Sequence, residues 1–195
     1  MRQVYLDYNA TTPVHPEVLE VLIESLREDF GNPSSVHRYG RRARVAIDDA
    51  RDAVADMLGA PAASIVFSSG GTEANNTILK GVAAARREHG CHLVTSQIEH
   101  PAVLDTCAAL AQQGYEITYV PVDDQGIVDP QAVRDALTDK TILVSIMYAN
   151  NISNEYMIDI NNIHIPYDKM ACVENFCHIT DTSYFENNIT VTQES

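Results

Sequence analysis

The sequence predicts an α/β fold built on a largely parallel sheet. Short apolar runs of strand length alternate with longer segments whose apolar residues recur at helical spacing. Strands that alternate with helices form parallel sheets, because each helix returns the chain to the edge where the last strand began. Ligands of such sheets bind beyond the carboxyl ends of the strands, so loops at that edge are the first places to search for a site.

Each element follows from its local pattern, in chain order. The first helix, 14–26, begins after Thr12-Pro13, and the second, 38–58, ends at Gly59. Prolines suit the first turns of two later helices, and Gly90 and Gly114 suit helix ends. The later helices are predicted over 72–88, 101–113 and 130–137, and the strands over 65–67, 92–95, 117–120 and 142–146.

Composition divides the chain near Asn151. The 195 residues carry 13 basic and 27 acidic side chains. Residues 1–150 hold 12 of the basic and 20 of the acidic ones, whereas residues 151–195 hold 1 and 7, and no glycine. We therefore predict a body over 1–151 and an unrelated, poorly ordered tail over 152–195. The tail's Cys172-x4-Cys177-His178 spacing differs from standard zinc patterns, so no metal site is predicted.

The charge and the apolar pattern exclude several classes of partner. A formal net charge of −14 is unsuited to nucleic acid, whose phosphates need a basic surface. No run of 18 apolar residues occurs, so we expect no membrane span. The first residues show no apolar signal core, and we expect a cytoplasmic protein.

The loop Ser68-Ser69-Gly70-Gly71-Thr72-Glu73 follows a predicted strand, and a helix begins after it. Two glycines allow a close backbone approach, and free N–H groups at a helix start attract anions, with the Thr72 hydroxyl as a further donor. An ordinary helix cap with a nearby Glu explains the same residues. The loop matches neither a Walker A motif nor G-x-G-x-x-G.

Three other polar groups also permit two interpretations. The loop 30–37, with Asn32 and His37, either holds a small polar substrate or joins two helices. His100 follows a predicted strand, where an imidazole either serves a planar ligand and its protons or has a structural role. Residues 148–151, ending in Asn151, either bond a ligand hydroxyl or cap a turn.

Taken together, these motifs resemble the NifS/IscS-type cysteine desulfurases of the class V aminotransferase group, which are fold-type I pyridoxal 5′-phosphate (PLP) enzymes. The resemblance covers residues 3–151 in order and implies the front part of the family's large domain. The matching segments are Tyr5-Leu6-Asp7-Tyr8-Asn9-Ala10-Thr11-Thr12-Pro13, Gly31-Asn32-Pro33-Ser34-Ser35 with His37, Ser69-Gly70-Gly71-Thr72-Glu73-Ala74-Asn75-Asn76, Glu99-His100-Pro101-Ala102-Val103-Leu104 and Thr141-Ile142-Leu143-Val144-Ser145-Ile146-Met147.

The resemblance implies a role for each candidate residue. Gly71 and Thr72 would hold the PLP phosphate, and Asn151 would bond the ring 3-hydroxyl. His100 would stack on the pyridine ring and serve as the catalytic candidate for proton transfer. The substrate's amino-acid end would lie near Asn9, Ala10, Thr11 and Asn32.

The resemblance further implies a desulfurase that converts L-cysteine to L-alanine and an enzyme persulfide. That sulfur supplies iron–sulfur cluster assembly or tRNA thiolation. Family members act as homodimers that pass sulfur to acceptor or scaffold proteins.

The family's PLP-binding lysine follows a Ser-x-His motif, and its persulfide cysteine lies far downstream. In this sequence no lysine directly follows such a motif, and no cysteine lies in that context. Lys80, Lys140 and Lys169 are the lysines present, and none has the expected setting. We therefore expect a catalytically incomplete chain without covalently attached PLP. The alternatives are a non-catalytic fragment that at most binds PLP or a full-length partner, and an unrelated α/β nucleotide-binding domain.

Overall fold

The computed structural model describes residues 4–6, 8, 11–147, 170–174 and 176–179. The chain forms two compact units, Met1–Ile65 and Val66–Ser195. The predicted body and tail meet at Asn151, outside the described residues, so that boundary stays a prediction.

The first unit contains two helices and a short 3-10 turn. Helix α1 spans Pro16–Glu28, helix α2 spans Arg38–Leu58, and the turn spans Ala62–Ser64. Helix α2 has the predicted bounds because Gly59, at φ 61°, adopts the left-handed conformation that ends helices. Arg42 of α2 pairs with Glu28 and Asp29 at the end of α1, at 3.0 and 2.7 Å.

The second unit is an α/β sheet with helices on both faces. Its sheet has the order β2-β1-β3-β4-β5, in which β2, β1, β3 and β4 pair in parallel and β5 pairs antiparallel to β4. The elements in chain order are α3 Gly71–Ala85, β1 His92–Ser96, α4 Pro101–Gln112, β2 Glu116–Val120, α5 Pro130–Ala136, β3 Thr141–Met147, β4 Met170–Glu174 and β5 Phe176–Ile179. The α/β class and the parallel sheet predicted from the sequence are confirmed.

Alternate residues of the central strands bury two apolar layers. One layer joins Leu93 and Leu143 to α3 and α4 through Leu79, Val103 and their neighbours. The other joins strand residues to α5, and comprises Val94, Val120, Val128, Val133, Val144 and Ile146. Helices α3 and α4 therefore lie on one face of the sheet, and α5 lies on the other.

The strand predicted over 65–67 is wrong. Those residues belong to no strand, and Val66 and Phe67 are exposed. Their apolar pattern is that of a strand, but a strand forms only by pairing within a sheet, and 65–67 is not one of the strands of the described sheet.

Gly90 is also not the helix end that the sequence predicts. Helix α3 ends at Ala85, and Gly90 instead lies against the Lys140 carbonyl, which a Cβ at this position would overlap. Gly114 does end α4 as predicted: at φ 86° it allows the Tyr115 amide to donate to the Leu110 carbonyl at 3.2 Å.

Strands β4 and β5 lie within the segment for which the sequence predicts poor order. Strand β4 pairs with β3 in parallel, from Leu143 opposite Met170 to Met147 opposite Glu174. The open edge of β3 thus gives β4 a partner that no local pattern encodes. Among the helices that the structure describes, none has the length and hydropathy needed to cross a bilayer.

The strand order reverses between β1 and β3. The connection from β1 leads through α4 to β2 on one side, and the connection through α5 then returns to β3 on the other side of β1. Crossovers on opposite faces diverge at such a point and leave a crevice at the carboxyl ends of the two central strands. This position, beyond Ser96 and Met147, is where the fold favours a ligand.

Candidate cofactor site

The start of helix α3 offers backbone donors that no side chain caps. Gly70 is the N-cap residue, and no side-chain hydrogen bond closes this end of the helix. The first N–H groups of α3 and the positive end of its dipole therefore favour an anion. A Cβ placed at Gly70 or Gly71 would meet no atom within 4 Å, so the backbone is open to an approaching ligand.

Glu73 shapes the loop before this helix. Its carboxylate accepts the Ser69 amide at 2.7 Å, and hydrogen bonds from the Ser69 hydroxyl and amide lower the pKa of Glu73. The capping interpretation of the loop is therefore correct for Glu73, which braces the turn. It does not account for Thr72, which is exposed in the first turn of α3.

Helices α3 and α4 begin at the same edge of the sheet. The Tyr115 hydroxyl, next to the start of β2, donates to the Ala83 carbonyl near the end of α3 at 2.8 Å. The end of α3 thus lies at the amino edge, and its start lies about 20 Å away toward the carboxyl edge. Helix α4 begins directly after β1 and packs against α3 in one apolar layer. The predicted ligand residues Gly71, Thr72 and His100 therefore share one edge of the sheet.

His100 caps helix α4 with its ring. Its Nδ1 accepts the Ala102 amide at 3.0 Å, which leaves the proton of the neutral ring on Nε2. The side chain is exposed. The structural role that the sequence allowed is therefore present, yet it also fixes the ring at the carboxyl edge with an Nε2–H donor available to a ligand.

Glu99 is a residue of this edge to which the sequence analysis gave no role of its own. It is 4 % exposed, and its Oε1 accepts the Ser96 hydroxyl at 2.8 Å and the Met147 amide at 2.7 Å. Glu99 thereby joins the ends of β1 and β3, on both sides of the strand-order reversal. The one sequence signal for this role is that Glu99 directly precedes His100. The bond to Met147 could not be predicted, because Met147 lies 48 residues away in the sequence.

The predicted substrate residues belong to the first unit. Asn32 forms a local turn, in which its Oδ1 accepts the Ser34 amide at 2.9 Å, and Thr11 is exposed. Asn9 and Ala10 lie outside the described residues, as does Asn151 of the predicted PLP set. A substrate role for Asn32 and Thr11 stays a prediction.

Neither described lysine belongs to the carboxyl edge. Lys80 lies more than two turns into α3 and donates to Asn76 Oδ1 at 2.6 Å. Lys140 precedes β3 at the amino edge, where its Nζ lies 3.4 Å from Glu116. Lys169 lies outside the described residues.

The described cysteines differ in burial and in chemistry. Cys107 is 1 % exposed, and burial, followed by the negative charge of Glu99, raises its pKa to about 11. Cys91 is half-buried. A thiol with a raised pKa is a poor nucleophile, so Cys107 is structural.

Comparison with known proteins identifies the family. The model of the family "Aminotransferase class-V" matches residues 4–172. The chain belongs to the class-V aminotransferase family. That family consists of PLP-dependent enzymes, and the recognition made from the sequence motifs is confirmed.

Relatives within the class-V family are cysteine desulfurases. The chain is 53 % identical over 150 residues to the cysteine desulfurase IscS of Dictyoglomus turgidum. The aligned region covers 77 % of this chain and 38 % of that protein. Among solved structures, a NifS-like protein matches 88 % of this chain and 48 % of its own, with 37 % identity and a TM-score of 0.83. A structure of SspA in complex with cysteine matches 75 % of this chain and 42 % of its own, with 41 % identity and a TM-score of 0.71.

These matches confirm the partial fold of a class-V large domain. The chain spans 38 % of the length of the first curated relative it matches and 37 % of the second. The family match continues to residue 172, beyond Asn151.

Proposed function

We propose that the second unit is the PLP-binding part of a cysteine desulfurase of the class-V family. The observation that carries this proposal is the shared edge at which α3 and α4 begin, beside the strand-order reversal. Backbone donors without a side-chain cap lie at one helix start, and an exposed imidazole lies at the other. A flat ring that bears a phosphate fits that combination of an anion site and a ring-stacking group.

The described residues would divide the work of holding PLP. The amides of Gly71 and Thr72, with the Thr72 hydroxyl, would bind the phosphate, and the α3 dipole would favour its charge. His100 would stack on the ring and hold a proton at Nε2, while Nδ1 remains engaged by the Ala102 amide. When bound, PLP supplies an electron sink for cleaving bonds of an amino acid.

Binding without covalent attachment is the form that the described residues support. Lys80 and Lys140 lie away from the carboxyl edge, and Lys169 lacks the expected Ser-x-His context. The chain alone would then be a non-catalytic portion that binds PLP reversibly. The whole protein, in contrast, would act on L-cysteine, the ligand named for the related SspA structure, as a homodimer that passes sulfur to acceptor or scaffold proteins.

Equilibrium dialysis of the purified chain tests this proposal. The chain contains no Trp, so binding cannot be followed by Trp fluorescence. The probes are PLP and 4′-deoxypyridoxine 5′-phosphate, which lacks the reactive aldehyde and reports reversible binding alone. Thr72→Val should weaken both about tenfold or more, because a hydrogen bond to a charged group contributes about 1.5–3 kcal/mol. Thr72→Ser should restore binding. Thr77→Val, a matched change at an exposed position of the same helix, should leave it unchanged.

Two results would overturn the proposal. One is the absence of saturable binding of either probe to the wild-type chain. The other is equal weakening by Thr72→Val and Thr77→Val. Borohydride reduction with stoichiometric PLP, followed by peptide mapping, should label no single lysine preferentially. Specific labelling of one lysine, together with alanine formation from L-cysteine, would refute the non-covalent assignment.

A further inference from the structure

Glu99 extends the contact between β1 and β3 beyond the end of their ladder. The paired register of these strands ends with Thr95 opposite Ser145. Two residues later along β3, the Met147 amide donates to Glu99 Oε1 at 2.7 Å. The same oxygen accepts the Ser96 hydroxyl at 2.8 Å. A buried carboxylate oxygen with two donors is a strong and directional link.

Resting on the proposed function, we propose that Glu99 is the positioning residue for His100. The buried carboxylate of Glu99 fixes the backbone directly before His100 by joining it to Ser96 and Met147. The Ala102 amide fixes the ring from the other side through Nδ1. The imidazole is thereby held at the strand-order reversal in one tautomer, with Nε2–H presented to the ring of a bound cofactor.

Packing around Glu99 indicates why an acidic residue fits this position. A hydrophobic residue of similar size would remove the acceptor of the Ser96 hydroxyl and the Met147 amide. A buried donor that loses its hydrogen bond lowers the free energy of unfolding. Glutamine keeps an oxygen that can accept from both groups, removes the charge and replaces the second oxygen with an NH2 donor. The negative charge reaches the neighbouring core, since it contributes to the raised pKa of the Cys107 thiol.

Loss of the Glu99 side chain should affect His100 and not the phosphate site. When Glu99 is removed, the turn before α4 loses its tie to β3, whereas the phosphate donors at the α3 start belong to Gly71 and Thr72, on a different helix. Removing Glu99 should therefore weaken ring stacking at His100 and leave phosphate binding at Thr72 unchanged. A change that merely unfolds the unit would instead lower both together.

The test compares Glu99→Ala, Glu99→Gln and the exposed control Glu88→Gln in two measurements. Nitrogen NMR of the histidine rings, with His100 assigned through His100→Gln, reports the tautomer of His100. Equilibrium dialysis reports the affinities for PLP and for inorganic phosphate. Glu99→Ala should give a mixture of tautomers and a three- to tenfold loss of PLP affinity, about the contribution of one aromatic stack, with phosphate affinity unchanged. Glu99→Gln should restore both, and Glu88→Gln should change neither.

Several results would overturn the inference. A wild-type tautomer and PLP affinity in Glu99→Ala would show that His100 needs no brace. An equal loss of PLP and phosphate affinity would indicate a general structural role, as would failure of Glu99→Gln to restore the tautomer. A wild-type chain that binds no PLP would refute the proposed function instead, and the tautomer comparison would then decide the role of Glu99.

Discussion

Replacing Cys107 should remove a measurable part of the protein's sensitivity to alkaline pH. Burial, and then the charge of Glu99, raises the pKa of this thiol from an ordinary value of 9.0 to about 11 in the folded chain. The folded state therefore keeps its proton at a pH where the unfolded state has lost it. The resulting stabilisation is present in full below pH 9 and is lost as the pH rises through 11.

The magnitude follows from the size of the shift. A difference of about two pKa units corresponds to about 2.7 kcal/mol once both states are deprotonated, and to about 1.4 kcal/mol at pH 10. Because Cys107 is 1 % exposed, solvent screening does little to reduce this value. Tyr119 also titrates in this range: burial raises its pKa, and the charge of Cys107 raises it further, so that smaller second effect is lost together with the thiol.

Urea unfolding followed by far-ultraviolet circular dichroism, under reducing conditions at pH 7 and pH 10, provides the assay. Between these pH values, the free energy of unfolding of the wild type should fall by about 1.4 kcal/mol more than that of Cys107→Ala. Cys91→Ala, which changes the half-buried thiol, should keep the wild-type fall. An identical fall in wild type and Cys107→Ala would refute the assigned cause.

Two further pairs of substitutions test a close backbone approach and a buried hydroxyl in the second unit by the same urea assay. Gly90→Ala should lower the free energy of unfolding by about 1–3 kcal/mol, because its Cβ would overlap the backbone of Lys140, whereas Gly81→Ala, with open space around its Cβ, should raise it by about 1 kcal/mol. Equal effects of the two would contradict the close approach. Thr95→Val should raise the free energy of unfolding by about 1 kcal/mol, since the buried Thr95 hydroxyl has no hydrogen-bond partner among the described residues. Thr106→Val should lower it, because that hydroxyl donates to a carbonyl at 2.8 Å, and a loss of stability in both variants would refute the reasoning.

Elements defined by local patterns were the ones that the sequence predicted well. Helix α2 has the predicted bounds because Gly59 supplies its end through its own conformational freedom. The strands β1, β2 and β3 lie within one residue of their predicted bounds, since each is a buried apolar run between turns. The segment 65–67 has a similar pattern but is not a strand of the described sheet, because sheet pairing depends on distant residues and not on local sequence alone.

Residues of the candidate site were predictable where a local motif or a resemblance contained them. Gly71, Thr72 and His100 stand at helix starts, a position that the strand–loop–helix pattern already implies. The function of Glu99 depends on a hydrogen bond to Met147, 48 residues away. Which side chain reaches the end of a neighbouring strand depends on strand order, and strand order emerges only when the sheet assembles.

The two edges of the sheet treat their polar groups differently, and this contrast explains why ligand binding and stability should respond to different substitutions. At the amino edge, the ring of buried His92 lies 2.8 Å from the hydroxyls of both Thr118 and Thr141, so three strands are joined by groups that satisfy one another. At the carboxyl edge, helix α3 starts without a side-chain cap, and its backbone donors remain directed to a ligand. Donors left open in this way reduce the stability of the ligand-free chain, because a cap typically contributes about 1 kcal/mol. A bound phosphate would replace that missing cap, so binding and folding of this unit should be coupled through the start of α3.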